Sequence, residues 1–164
     1  MKYYIKQHPF SLKGKFDIFN QFEETIYRCE GEFSLKKKLH LYDKLDNELA
    51  YITAKVWSIH SRHYIERKGK ETVEVYKAFS VKPHYFIDSL GWEITGNFWE
   101  HDYTIKKGDE IIATIKKEWF KLADFYEIDV AEGVDEIYVL SAVLVIDSVV
   151  STEAAAASSA GGAS

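Results

Sequence analysis

The side chains able to do chemistry here are a few histidines next to carboxylates or hydroxyls, one thiol and several lysine clusters. His60-Ser61-Arg62-His63 is the closest histidine pair. In an extended chain its three-residue offset turns the two rings to opposite faces, so no shared metal is expected. Trp99-Glu100-His101-Asp102 sets two carboxylates around an imidazole, the raw material of acid–base catalysis. Adjacent side chains of an extended chain diverge, and no nucleophile motif accompanies them, so the expectation is a solvated turn next to a buried Trp99. Nothing resembles a nucleophile elbow, and the glycines match neither a phosphate loop nor a dinucleotide fingerprint. Cys29, the single cysteine, cannot form an internal disulfide or a structural zinc site; it reads as a small buried apolar residue of a cytoplasmic protein. No enzyme, catalytic residue, metal or cofactor is expected.

The cationic groups offer a different chemistry. Between Phe33 and Lys70 nine basic residues face four acids, among them Lys36, Lys37, Lys38, Arg62, Arg67, Lys68 and Lys70. With an aromatic such as Trp57 as interfacial anchor, this surface is a candidate for peripheral contact with an anionic membrane or a phosphoinositide headgroup. Elsewhere the signs are interspersed. Residues 1–128 hold all 21 Lys and Arg against 20 acids, and the remaining acids, from Asp129 on, bring the net charge to −5. Such a body lacks the basic footprint of a nucleic-acid binder. The alternatives are a protein-interaction or scaffold role, with the partner unspecified, and a role related to lipid scrambling.

Positioning these groups falls to short alternating runs separated by Gly, Asn or Asp, the pattern of strand, turn and strand. Lys15–Phe19 is answered by Thr25–Cys29, Leu39–Tyr42 by Leu49–Ile52, His63–Arg67 by Val73–Tyr76, Tyr85–Ile87 by Trp92–Ile94, and Tyr103–Lys106 by Ile112–Ile115, with Phe125–Ile128 closing the series. Gly31-Glu32-Phe33 and Gly96-Asn97-Phe98 open two similar units, each followed by a hairpin and then Ala50/Ile52 or Ala113/Ile115. After these comes a run from about 135 to 150 with no polar stripe, which reads as a helix buried on every side. Its uncharged span, Ile137–Ile146, is about half of the ~20 residues a bilayer needs. Residues 151–164, rich in Ala, Ser and Gly, read as a flexible tail.

About a dozen antiparallel strands hide their edges best by closing into a barrel. Such a barrel has a bore between the filled interior of about eight strands and the channel of sixteen, and a helix about 10–12 Å across would plug it. Ala50 and Ala113, small and inward, leave room for that plug. The expected fold is therefore mainly β, one domain over residues 1–150, with any binding site on the outer wall or rim.

Several blocks also resemble a known family. Lys2-Tyr3-Tyr4-Ile5-Lys6-Gln7, Phe33-Ser34-Leu35, Lys37–Asp43, the long block from Leu90-Gly91-Trp92-Glu93 to His101-Asp102-Tyr103, and Tyr126-Glu127-Ile128-Asp129 before an apolar helix are similar to the bacterial branch of the LURP-one-related proteins. That resemblance implies a tubby C-terminal-like fold, a closed barrel of about twelve strands around a hydrophobic C-terminal helix, shared with phospholipid scramblases. It assigns no ligand contact to any residue.

Overall fold

The computed structural model describes residues 1–7, 15–32, 38–55, 61–118 and 125–161. Twelve strands run in chain order: β1 Lys2–Gln7, β2 Lys15–Asn20, β3 Thr25–Gly31, β4 Lys38–Asp43, β5 Glu48–Ala54, β6 Arg62–Glu66, β7 Val73–Lys77, β8 His84–Ile87, β9 Trp92–Asn97, β10 Asp102–Lys107, β11 Glu110–Glu118 and β12 Phe125–Val130. Each pairs antiparallel with its sequence neighbours, and β1 pairs with β12, so the sheet is a closed up-and-down barrel. Alternation decides what faces inward. Tyr3 and Ile5, Leu39 and Leu41, Val73 and Val75, Tyr103 and Ile105, and Tyr126 and Ile128 are buried, while the residues between them face outward.

The bore is filled by α1, Glu136–Ala160, in which every residue from Ile137 to Val149 is buried. A helix hydrophobic all round has no face to give to water, and the barrel supplies apolar neighbours on every side. By length and composition this helix is also apolar enough to cross a membrane. Here that apolarity serves the core. The helix does not stop near Val150 but continues to Ala160, with Ala154 to Ala160 exposed. Alanine, with the best helix propensity, extends it, while the Ser151 and Thr152 hydroxyls are satisfied within the helix, each donating at 2.8 Å to the carbonyl four residues back.

The bore accommodates a helix because its wall is thinned at opposite points. Ala50 on β5 and Ala113 on β11 are both buried, and their strands lie half a circuit apart in the ring of twelve. The pairing register shifts immediately after Leu41 faces Ala50, and again immediately after Ile105 faces Ala113. The two similar sequence units thus occupy equivalent places in two halves of one barrel. Phe33, which opens the first unit after Gly31 and Glu32, lies outside the described residues.

The up-and-down order also sorts every connection to one of two ends. One end, where α1 enters, carries the turns after β2, β4, β6, β8 and β10 and the segment between β12 and α1. The other, where α1 leaves, carries the connections after β1, β3, β5, β7, β9 and β11.

Candidate functional site

Of the seven basic residues singled out above, Lys36 and Lys37 lie outside the described residues, as do Trp57 and His60. The other five do not form one surface. Lys38 and Arg62 stand near the exit end and are ion-paired, Lys38 with Glu32 at 2.8 Å and Arg62 with Glu74 at 2.9 Å. Arg67, Lys68 and Lys70 belong to the entry end, on or beside the turn between β6 and β7, where Lys68 is exposed.

Arg67 and Lys70 have a specific task there. Asp135 is the N-cap of α1, accepting from the Ile137 amide at 3.2 Å. The same carboxylate takes Arg67 Nη1 on both oxygens at 2.8 Å and Lys70 Nζ at 2.5 Å. Both cations also lie over the Tyr138 ring, at 4.6 and 5.6 Å from its centroid. Burial pushes the Asp135 carboxyl up, but hydrogen bonds from Lys70 and Arg67 outweigh it and hold the group below the ordinary carboxylate range. Two of the seven candidates therefore fasten the helix into the barrel mouth.

Of the His60 and His63 pair, His63 alone lies among the described residues. His63 faces inward and is buried; Ser61 Oγ lies 3.3 Å from its Nδ1, as two alternate residues on one strand face can. In the Trp99–Asp102 turn the buried aromatic is Phe98, not Trp99, which is 52 % exposed. Alternation explains the difference, because Phe98 continues the inward series of Trp92 and Ile94. Glu100 and Asp102 are exposed, and His101, at a φ of 50°, lays its ring flat on Tyr126 at 4.5 Å. Among the described residues no group of three or more His, Cys, Asp or Glu side chains could hold a metal.

Two features were not anticipated. On the outer wall His40 has Glu48 at 2.6 Å from Nδ1 and Glu32 at 2.9 Å from Nε2, and its ring stacks on Tyr51 at 4.7 Å. Burial works to lower its pKa, but the two glutamates prevail and raise it above the usual histidine value. Inside the barrel, Asp147 is a buried carboxylate in the last buried turn of α1. Burial first, and then the Asp147 charge, push the phenols of Tyr103 and Tyr126 well above 10. Burial likewise raises the Cys29 thiol, with Asp147 adding to it, so the thiol is inert as expected.

The two barrel ends differ in charge. The entry end, taken as residues 1–2, 20–24, 43–47, 67–72, 88–91, 107–110 and 129–136, carries twelve acids against six bases, Lys2 among them. The described strand ends and connections at the exit end carry no acidic excess, with Lys15, Lys38, Lys55, Arg62, Lys77, Lys82 and Lys117 set against Glu30, Glu32, Glu100, Asp102 and Glu153. Both ends show apolar side chains to solvent: Phe22 and Leu45 at the first, Phe79 (90 % exposed), Val81 and Trp99 at the second. Phe79, Val81 and Trp99 sit on the connections after β7 and β9, neighbouring strand pairs on one arc of the rim.

Comparison with known proteins agrees with this architecture. The profile of the family described as LURP-one-related matches residues 1–147. The uncharacterized protein YxjI of Bacillus subtilis (strain 168) is 30% identical over 148 residues, covering 89% of this chain and 91% of its own. The X-ray structure of an Arabidopsis thaliana protein shares the fold at a TM-score of 0.66 with 17% identity, over 90% of this chain and 91% of that one. Neither relative's name is that of an enzyme. With the family profile spanning the barrel and nearly all of the buried part of α1, the chain belongs to the LURP-one-related family.

Proposed function

We propose that this protein is a non-catalytic, cytoplasmic binding module that docks peripherally on anionic membranes through the barrel end from which α1 emerges. The observation that carries this reading is the asymmetry of the two ends. An acidic end is repelled by an anionic surface, at about 1 kcal/mol per charge near the membrane. The opposite end meets no such opposition and presents Phe79, Val81 and Trp99, of which tryptophan is the side chain best suited to the headgroup level. Phe22 and Leu45 are as exposed, but they stand among the acids of the other end. The bore, filled by α1, leaves the rim and the outer wall as the surfaces open to a ligand.

Co-sedimentation with vesicles tests the reading, using phosphatidylserine in phosphatidylcholine, a phosphoinositide in phosphatidylcholine, and phosphatidylcholine alone. The full chain is expected to sediment with the anionic vesicles and less with the neutral ones. A variant carrying Phe79→Ser, Val81→Ser and Trp99→Ser is expected to lose binding by about tenfold or more, since each apolar side chain withdrawn from water is worth roughly 1.5–3 kcal/mol when fully buried. Replacing Lys38, Arg62 and Lys82 with Glu is expected to weaken binding at low salt more than at physiological salt. Failure to sediment with anionic vesicles even at low salt would remove the membrane reading and favour a protein partner.

A further inference from the structure

The outer wall of a closed barrel normally alternates to polar side chains, yet on three adjacent strands it does not. Tyr4 on β1, Phe19 on β2 and Phe125 on β12 all point outward and are half-buried. They floor a groove of about 430 Å³, within the range of small-molecule sites. The Phe19 and Phe125 ring centroids are 6.3 Å apart, and Lys6 Nζ lies over Phe125 at 5.5 Å from its centroid. Asn20, Gln21 and Glu23 close the far end, and Glu127 forms one side.

The polar groups of the groove are unequally committed. Glu127 receives Lys2 Nζ at 2.7 Å and the Tyr4 hydroxyl at 3.0 Å. Burial works to raise its pKa, and those two hydrogen bonds overcome it, so the group is held as a compensated carboxylate. The Asn20 side chain is spent on its own turn, accepting from the Phe22 and Glu24 amides at 2.9 and 3.0 Å. Lys6 is different: its ammonium lies over the Phe125 ring, with Asp17 as its cross-strand neighbour on β2. An ammonium poised over an aromatic floor has donors to offer an incoming anion.

We infer that this groove binds a small amphipathic carboxylate, its head on Lys6 and its apolar body across Phe125 and Phe19. A single negative charge fits because Glu127 and Glu23 flank the rest of the groove and oppose a polyphosphate. The site lies on β12, β1 and β2, away from the rim arc of β7 to β10, and does not depend on membrane docking.

The test is a titration of the ¹⁵N-labelled full chain, followed by amide chemical shifts, with 3-phenylpropionate, 3-phenylpropanol and phenethylamine as anionic, neutral and cationic probes of similar body. Saturable shifts are expected at Tyr4, Lys6, Phe19 and Gln21 with the carboxylate, with binding weaker by about tenfold for the alcohol. Lys6→Gln should erase the preference for the carboxylate over the alcohol while leaving amide shifts elsewhere in place. Phe125→Ala should weaken both probes together. The proposal is overturned if 3-phenylpropionate gives no saturable shift up to its solubility limit, if the shifts map outside the groove, or if phenethylamine binds as well as the acid.

Discussion

Leu144→Asp should leave no soluble, cooperatively folding protein. Leu144 has no solvent exposure and sits within α1 where strands surround the helix on all sides. Leaving a carboxylate there unpaired costs several kcal/mol, against a total stability of typically ~5–15 kcal/mol. Position 144 is also three residues before Asp147, so the new charge would lie on the same helix face as one already buried. Ala156→Asp, in the exposed extension of the same helix, should change soluble yield and melting temperature little. Soluble yield and circular dichroism melting of the two variants decide the matter. A Leu144→Asp protein that melts cooperatively near the wild-type temperature would show that α1 is not the core.

The second large effect is expected at Gly96, where the backbone allows no side chain. Its φ of 145° is one that L-residues rarely adopt, and a Cβ there would lie 2.5 Å from both the Asp102 carbonyl oxygen and the Tyr103 Cα. Both are backbone of the paired strand β10, so relief requires parting β9 from β10. Gly96→Ala should cost about 3 kcal/mol or more, lowering the melting temperature by roughly 6–12 °C. Gly108, at a φ of 59°, is the internal comparison, because a Cβ there meets nothing within 4 Å. Gly108→Ala should carry only the left-handed backbone cost of about 1–2 kcal/mol. Equal losses at the two positions would mean that crowding between β9 and β10 is not what fixes Gly96.

Alternation alone made most of the barrel legible. Each of the five hairpins read from the chain is present, because a strand with one face in the core must place its apolar residues two apart. The helix was legible because a long run apolar on every side has few other places to go. Its true end was not, since alanines that bury nothing can still continue a helix already begun. The described part of the basic surface is divided between the two barrel ends for a tertiary reason. Arg67 and Lys70 meet Asp135, which is distant in sequence, and no local pattern announces a cap supplied from another part of the chain. The groove was hidden similarly, because Phe19 and Phe125 become neighbours only when β12 closes onto β1. The charge difference between the ends is an intermediate case: once the strands are known to run up and down in order, alternate turns fall on opposite ends and their acids can be counted from the sequence.

The claim that one end of the barrel faces the membrane is tested most directly by hydrogen exchange of the full chain, with and without phosphatidylserine vesicles. Protection gained on vesicles is predicted for peptides covering Ala78–His84 and Asn97–Asp102, with Ile137–Val149 equally protected in both states. Protection gained instead at Asn20–Glu24, Asp43–Asn47 or Asp129–Glu136, or exchange opening within Ile137–Val149, would contradict the account, the first by reversing the docked end and the second by releasing the helix from the barrel.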